Sequence, residues 1–418
     1  VKHIVIVGGG VIGLSAAFFC SRRGHRVTVV ERLPATRDGC SFGNAGMVCP
    51  SHFVPLAAPG MVALGLRWMA NPKSPFYIRP RLDADLLAWG FRFWRACSHR
   101  HVQRAAPRLR DLSLASRTLF TELATSPGFD FHLVQKGLLM LCKSHHTLEE
   151  EAAFAEKARS LGIPAEVLDP RQTARLDPGA TLDIAGAVHF PKDCHLDPRR
   201  FSEALQSEAA RAGTAFAWNT EVTGWRLDHS RVRAITTPAG DIEADEFVLC
   251  GGSWSPTTAR GLHLNLPMQA GKGYSLTLPS PRQLPALCSI LTEARVAVTP
   301  INGQLRFGGT MEIAGLDESI NPVRVQGIIE AACRYFPAFQ PADFQGIQPW
   351  RGLRPVSPDG LPYLGRTRRH PNVTLATGHA MLGLSLAPIT GRLVSDIVSD
   401  TRPDPDLDLA LLDPDRFA

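Results

Sequence analysis

The sequence predicts an α/β fold that opens on a β-α-β unit, and three observations carry the prediction. An apolar, β-branched run from Val1 to Val7 leads into a glycine turn, Gly8-Gly9-Gly10-Val11-Ile12-Gly13. An apolar stretch of helical length then ends at Gly24, and a second β-branched run, Arg26 to Val30, closes on Glu31, giving about thirty residues, the length such a unit needs. Finally, 418 residues exceed the usual size of one core, so a second domain is expected.

The first unit has the spacing of a dinucleotide site. Gly8 makes the tight turn, Gly10 lets the backbone approach a pyrophosphate, and Gly13 lets helix and strand pack closely. Val11 and Ile12 open a helix whose N-terminus offers unpaired N–H groups to phosphates. Glu31, eighteen residues beyond Gly13, is placed for ribose hydroxyls. A glycine turn with a purely structural role is the bland alternative. NAD and FAD share this arrangement, so the pattern alone leaves the dinucleotide open.

Composition narrows the class. A hydrophobic content of 44% supports a well-buried soluble core, and no apolar run of about eighteen residues suggests a membrane-spanning helix. The first strand begins at once, so no leader is expected and the protein is expected in the cytoplasm, with peripheral contact at the inner face of the membrane as the variant of that expectation. Nine cysteines are odd in number, scattered and free of any CxxC pair. That argues for reduced, buried thiols and against a disulfide framework, a zinc site or an iron–sulfur cluster. The net charge is +6, and between Arg67 and Arg117 eleven Lys or Arg face three Asp, so the excess is local. No nucleic-acid partner is expected. A GxSxG elbow, a Ser/His/Asp arrangement and a phosphate-binding lysine loop are all absent from the sequence.

Beyond Glu31 the chain is turn-rich to Gly46, which suits either a loop folded over a cofactor or a plain surface loop. Prolines from Pro55 to Pro80 exclude a long helix. Helical patterns follow at Asp83 to Arg100 and Val102 to Ala124. Two roles fit this basic, aromatic segment: a surface lying against anionic lipid that passes electrons to a quinone or respiratory carrier, or buried aromatics with a solvated arginine face. A strand is expected from Phe131 to Leu141 and a charged helix from Thr147 to Gly162. Asp197 as cap and Pro198 at the first position start a helix that ends at Gly213. His195, just before it, either faces substrate or is solvated. Strands at Ala215 to Val222, Val232 to Thr237 and Phe247 to Cys250 precede a helix opened by Gly251-Gly252-Ser253-Trp254. Strand-like runs near Lys272 to Leu276, Ile290 to Val298 and Leu305 to Gly308 and a helix from Val323 to Phe336 follow. The strand Val373 to Ala376 then turns through Thr377 to Gly383 into a final helix, Leu384 to Asp400. The acidic tail carries no readable chemistry.

Ser41-Phe42-Gly43-Asn44-Ala45-Gly46, Ala57-Ala58-Pro59-Gly60 and Trp68-Met69 resemble the N-terminal region of the bacterial FAD-dependent D-amino acid dehydrogenases. These belong to a wider family with glycine oxidase, sarcosine oxidase and D-amino acid oxidase. The resemblance implies FAD rather than NAD. It also implies a Rossmann-like FAD-binding domain assembled from 1–50, 196–266 and 347–401, with a discontinuous antiparallel-sheet substrate domain from 51–195 and 267–346. A helical insertion near 83–124 and a tail at 402–418 complete the expected plan. By the same resemblance, Gly8 to Gly13 and Glu31 are joined at the cofactor by Arg32, Ser41, Asn44, Ala45, Gly46 and Met47. Val222 would meet adenine, Gly251, Gly252 and Trp254 the pyrophosphate. Gly352, Gly378, His379, Ala380, Met381, Leu382 and Gly383 would meet the flavin. Cys40, Cys49 and Cys288 sit in no linkage motif, so noncovalent FAD is expected.

Near the C-terminus stands Trp350-Arg351-Gly352-Leu353-Arg354-Pro355. An arginine fork binds both oxygens of a carboxylate and stays charged. Arg354 matches the family position that holds the amino acid carboxylate; without the resemblance a surface ion pair would explain it. Arg351 and His379 are further substrate-binding candidates, and Tyr274 is expected either over the flavin, with a catalytic role, or in the core. The resemblance implies dehydrogenation of a D-amino acid, with D-proline or cis-4-hydroxy-D-proline as plausible substrates, by hydride transfer to the flavin and electron delivery to an acceptor other than oxygen. The alternatives are an oxygen-using glycine- or sarcosine-type oxidase, a non-catalytic FAD-binding subunit, and an NAD enzyme sharing only the first unit.

Overall fold

In the computed structural model, which describes residues 1–69, 71–402 and 404–418, the strand His3–Val7 lies inside a six-stranded sheet. From one edge to the other the strands are Tyr363–Arg366, Val373–Thr377, Glu246–Leu249, His3–Val7, Arg26–Val30 and Ala215–Ala217. All neighbours are parallel except the Tyr363–Arg366 edge. Ile4, Val5 and Ile6 are wholly buried, as expected where both faces of a parallel sheet are covered. The helices Val11–Arg22 and Ala387–Val398 cover one face. They approach so closely that a Cβ at Gly391 would lie 2.5 Å from the Ser15 carbonyl carbon, so only glycine fits there.

A nine-stranded sheet forms the second layer. Its order is Trp350–Val356, Gln269–Leu278, Gln304–Ile313, Val296–Ile301, Cys288–Leu291, Leu138–Cys142, Gly186–Phe190 and Glu166–Leu168, with Phe76–Ile78 added onto Gln304–Ile313. It is mixed rather than wholly antiparallel, because Cys288–Leu291 runs parallel to Leu138–Cys142 and Phe76–Ile78 parallel to Gln304–Ile313. The strand Trp350–Val356, expected with the FAD-binding stretch, is paired here along Gln269–Leu278. That pairing puts Arg354 opposite Gly271 and Arg351 opposite Tyr274.

Several expected elements shift, each for a local reason. The helical pair near 83–124 breaks at Ser98, whose hydroxyl accepts the His101 N–H, giving Ala84–Ala96 and His99–Ala124. The second of these packs into the core around the first strand and helix. The first buries Leu86 and Trp89 but leaves Leu87, Phe91 and Trp94 at 68%, 57% and 60% exposure, so its aromatics are not all core. A short helix, Met61–Met69, fits between the prolines. The strand expected from Phe131 is confined to Leu138–Cys142, because Gly137 turns the chain with φ +93°. Ala215–Ala217 stops before Asn219, at φ +52°. The 290–298 run is a hairpin turning at Arg295, also at φ +52°. The final helix begins at Ala387, later than expected, since a separate 3₁₀ turn occupies Ala380–Leu382. Asp197 and Pro198 do start the helix Pro198–Arg211, with the Asp197 carboxylate accepting from the Arg199 and Arg200 N–H groups.

Candidate functional site

The glycine turn is closed by contacts that no side chain could share. A Cβ on Gly13 would sit 1.9 Å from the Gly8 carbonyl oxygen, and one on Gly8, at φ +112°, 2.5 Å from the Cys250 oxygen. Glu31 accepts from the Gly9 N–H at 2.7 Å and from the Leu33 N–H at 2.9 Å, which fixes its carboxylate at the end of the second strand. The Ser41 hydroxyl accepts from the Val11 N–H at 2.9 Å, bringing the following loop to the helix start. Arg32 lies over the Trp254 ring at 3.8 Å, joining the second strand to the Gly251-Gly252 turn.

These groups border one cavity of about 1440 Å³, more than a drug-sized ligand needs and enough for a dinucleotide with a small substrate. Every cofactor residue expected from the sequence lines it except Gly9, Gly13 and Gly378. Gly9 is bonded to Glu31, Gly13 packs on Gly8, and Gly378, at φ +77°, packs on the Tyr363 ring. The residues present fit FAD: a glycine cradle that any Cβ would fill, an acid at the second strand, and a broad apolar region beyond them.

That apolar region is built on the nine-stranded sheet. Ser275 donates to the Gly43 carbonyl at 3.0 Å and Arg306 to the Asn44 carbonyl at 2.7 Å, which ties the Ser41–Gly46 loop to two strands. The Trp350 indole packs against Gly43 and Gly352, where a Cβ would come within 2.2 and 2.3 Å of it. Arg354 points into the cavity and donates to the Thr310 carbonyl at 2.8 Å. It makes no ion pair among the described residues, and burial lowers its pKa from the ordinary arginine range while leaving it a cation. A half-buried guanidinium without a counter-charge is what a carboxylate ligand would complete.

The other expected substrate residues are more committed. Arg351 pairs with Glu318 at 3.4 Å and donates to its carbonyl at 3.2 Å, so its charge is already met. Tyr274 lines the cavity, but its hydroxyl donates to Glu312 at 2.6 Å and accepts from the Asn321 N–H at 3.3 Å; burial and that carboxylate raise its pKa. His379 is 3% exposed, its Nε2 bonds the Thr390 hydroxyl at 3.1 Å, and burial lowers its pKa to about 3, so its ring stays neutral. His195 is neither solvated nor at the cavity. It is 2% exposed in a two-residue strand paired with Met47–Val48, and burial, helped by Lys136, lowers its pKa to about 4. The hydrophobic neighbours contributed by Val134 and Met47 were out of view in the local sequence.

Three residues at the site went unmarked in the sequence. Arg37 donates twice to the Gly9 carbonyl, at 2.9 and 2.7 Å, and lies over the Trp218 ring. Arg295 lines the cavity from its hairpin turn. His52 lines it as well, beside Cys49 and Asp193, whose ligand-type atoms all lie within 4.8 Å of one another. Ser51 fills that group with hydrogen bonds. Its N–H reaches Asp193 Oδ1 at 3.0 Å, its hydroxyl reaches Oδ2, and its Oγ meets His52 Nδ1 at 2.9 Å. A histidine eight residues beyond Asn44 was the only signal; Asp193, linked to it through Ser51, is more than a hundred residues away.

Comparison with known proteins agrees with this geometry. The family model described as "DAO: FAD dependent oxidoreductase" matches residues 3–397. A protein named D-amino acid dehydrogenase from Paramagnetospirillum magneticum is 34% identical over 402 residues, spanning 95% of this chain and 94% of its own. A second of that name, from Granulibacter bethesdensis, is 32% identical over 98% of this chain and 99% of its own. Among solved structures, glycine oxidase from Geobacillus kaustophilus superposes with a TM-score of 0.79 at 25% identity, covering 100% of this chain and 99% of that one. L-proline dehydrogenase from P. horikoshii shares the fold, with a TM-score of 0.74 at 18% identity over 100% of this chain and 97% of that one.

Proposed function

The chain belongs to the family of FAD-dependent oxidoreductases, with FAD as its cofactor, and on that footing we propose that it dehydrogenates a D-amino acid to the imino acid and passes the electrons to an acceptor other than oxygen. The observation that carries this reading is Arg354, a half-buried guanidinium facing the cavity with no ion-pair partner among the described residues. The relatives named D-amino acid dehydrogenase support the substrate class.

When bound, FAD supplies the two-electron oxidant that takes up the substrate's α-hydrogen as hydride. The protein's own part is orientation. Arg354 clamps the carboxylate, and its bond to Thr310 fixes the fork before substrate arrives. The loop Ser41–Gly46, held by Ser275 and Arg306, fixes the floor of the cavity, while the apolar wall excludes water. Burial raises the pKa of Cys49 and Cys288, so both remain unreactive thiols, which supports noncovalent FAD. A cyclic amino acid, D-proline or cis-4-hydroxy-D-proline, suits a site that needs no nucleophile, since its imine stays in the ring.

The electron acceptor is proposed to be a quinone or respiratory carrier reached at an anionic lipid surface. Leu66, Leu87, Phe91 and Trp94 are exposed beside Arg67, Arg92 and Arg95, and Leu66 and Trp94 also line the cavity. No helix of the described residues is long and apolar enough to cross a membrane, so the contact would be peripheral. Anaerobic mixing with a panel of D- and L-amino acids tests the main reading. Bleaching of the flavin by D-amino acids is expected; a flavin that stays yellow with every one of them removes it. Rapid oxygen uptake in place of dye reduction would favour an oxidase of the glycine type.

A further inference from the structure

The Arg354 clamp accounts for one end of an amino acid and leaves the nitrogen without a partner. The amine must be neutral to release hydride from the neighbouring carbon, and a neutral amine still carries an N–H that needs an acceptor inside an apolar cavity. Most side-chain acceptors nearby are taken. Tyr274 is bonded to Glu312 and Asn321, Glu318 to Arg351, and His379 Nε2 to Thr390. His379 Nδ1 has no hydrogen-bond partner among the described residues either, but that ring is only 3% exposed and nothing bonded to Thr390 fixes its tautomer; at His52 Nδ1 is bonded to Ser51, itself held by Asp193, while Nε2 has no hydrogen-bond partner among the described residues and the ring lines the cavity.

The direction of the bonds decides what that nitrogen offers. Asp193 is buried and, once ionised, accepts only; it takes both the N–H and the O–H of Ser51. With its proton committed to Asp193, the Ser51 oxygen can only accept from His52, which places the ring proton on Nδ1 and leaves the Nε2 lone pair open. We propose that His52 Nε2 receives the N–H of the substrate's amine, and that Ser51 and Asp193 are positioning residues that set the ring tautomer for this. Arg295, on the hairpin facing His52, adds a positive charge that disfavours both imidazolium and a cationic ammonium, so the site selects the free amine. Other charged or titratable groups near this cluster are Cys49, Cys194, Cys288, Arg117 at longer range, and Glu151, whose carboxyl faces Arg295 and offsets part of its charge. The proton lost from the ammonium goes to water before binding, and no group of the protein has to store it.

The inference rests on the amino acid reading above, and a binding experiment separates the two. Pyrrole-2-carboxylate and furan-2-carboxylate have the same shape and carboxylate, but only the first has an N–H. Their dissociation constants are measured at pH 8 on the FAD-loaded protein by perturbation of the flavin spectrum. The wild type should prefer the pyrrole by about fivefold to tenfold, the worth of one hydrogen bond. His52→Leu should bring the ratio to about one, Ser51→Ala should lower it, and Ser51→Thr should restore it. A ¹⁵N-histidine spectrum should show His52 protonated at Nδ1 in the wild type and not in Ser51→Ala. A ratio near one in the wild type, an unchanged ratio in His52→Leu, or an Nε2–H tautomer overturns the inference and leaves the function standing. Failure of both ligands to bind the yellow wild-type protein overturns both.

Discussion

Gly273 lies diagonally across two paired strands from Arg354, two residues along from its register partner Gly271, and the guanidinium folds over it so closely that a Cβ on Gly273 would stand 2.2 Å from Nη1. The glycine therefore sets where the arginine can lie. Gly273→Ala should push the guanidinium off the Thr310 carbonyl and raise KM for the amino acid at least tenfold, while flavin content stays normal. Steady-state kinetics with an absorbance check of bound flavin measures this; an unchanged KM would show that the fork has room to move.

Arg354→Ala removes the clamp itself. Truncating one partner of a desolvated charge pair costs roughly 2–5 kcal/mol, so substrate affinity should fall about 30-fold or more. The protein should remain yellow, because the glycine cradle is untouched. Anaerobic flavin reduction at increasing substrate concentration gives the apparent dissociation constant.

Gly13→Ala acts on the cofactor instead. Its Cβ meets a backbone oxygen at 1.9 Å, and backbone cannot turn aside as a side chain can. The expected product is colourless or poorly folded protein. The ratio of flavin absorbance to protein absorbance reports it directly.

Asp193 gives a pH dependence of stability. Burial raises its pKa to about 7, against hydrogen bonds from Ser51 and Cys49 that pull it down. In the unfolded chain the group titrates near pH 3.9, roughly the ordinary value. Between these two values the folded protein holds a proton that the unfolded chain has lost, so stability falls as pH rises through that window and is level above about pH 7. Asp193→Asn should remove this slope, and the difference in Tm between variant and wild type should grow from about pH 5 to about pH 7 and then stay constant. Parallel Tm curves would mean that the carboxyl titrates as it does in water.

Leu87→Glu and Phe91→Glu address the exposed apolar face. Both variants should lose cosedimentation with vesicles containing anionic lipid and keep their activity with a water-soluble dye. Equal vesicle binding by wild type and variants would detach the electron acceptor from this surface.

Much of this molecule is legible along the chain wherever the determining contacts are local. Asp197, Pro198 and Gly213 mark a helix within seventeen residues, and the glycine turn with Glu31 marks the nucleotide unit within thirty-one. Pairing between distant strands is another matter. Trp350–Val356 was expected with the nucleotide stretch, yet its partner Gln269–Leu278 lies about eighty residues earlier. The same holds at the site. Arg354 stands in a readable motif, whereas His52 gains its meaning from Asp193 and Arg351 loses its charge to Glu318, and neither partner is near in sequence. His195 was misplaced because burial comes from Met47–Val48 packing onto it, a contact no local pattern announces.

The six-stranded sheet also bears on how the protein is made. Its strands come from residues 3–30, 215–217, 246–249 and 363–377, so the first strand is made long before its neighbour Glu246–Leu249, and Val373–Thr377 follows more than a hundred residues later still. The cradle can be completed only once residues up to Val398 have been made, since Cys250 closes over Gly8 and the helix Ala387–Val398 covers Val11–Arg22. Such long-range closure folds slowly and exposes strand edges meanwhile.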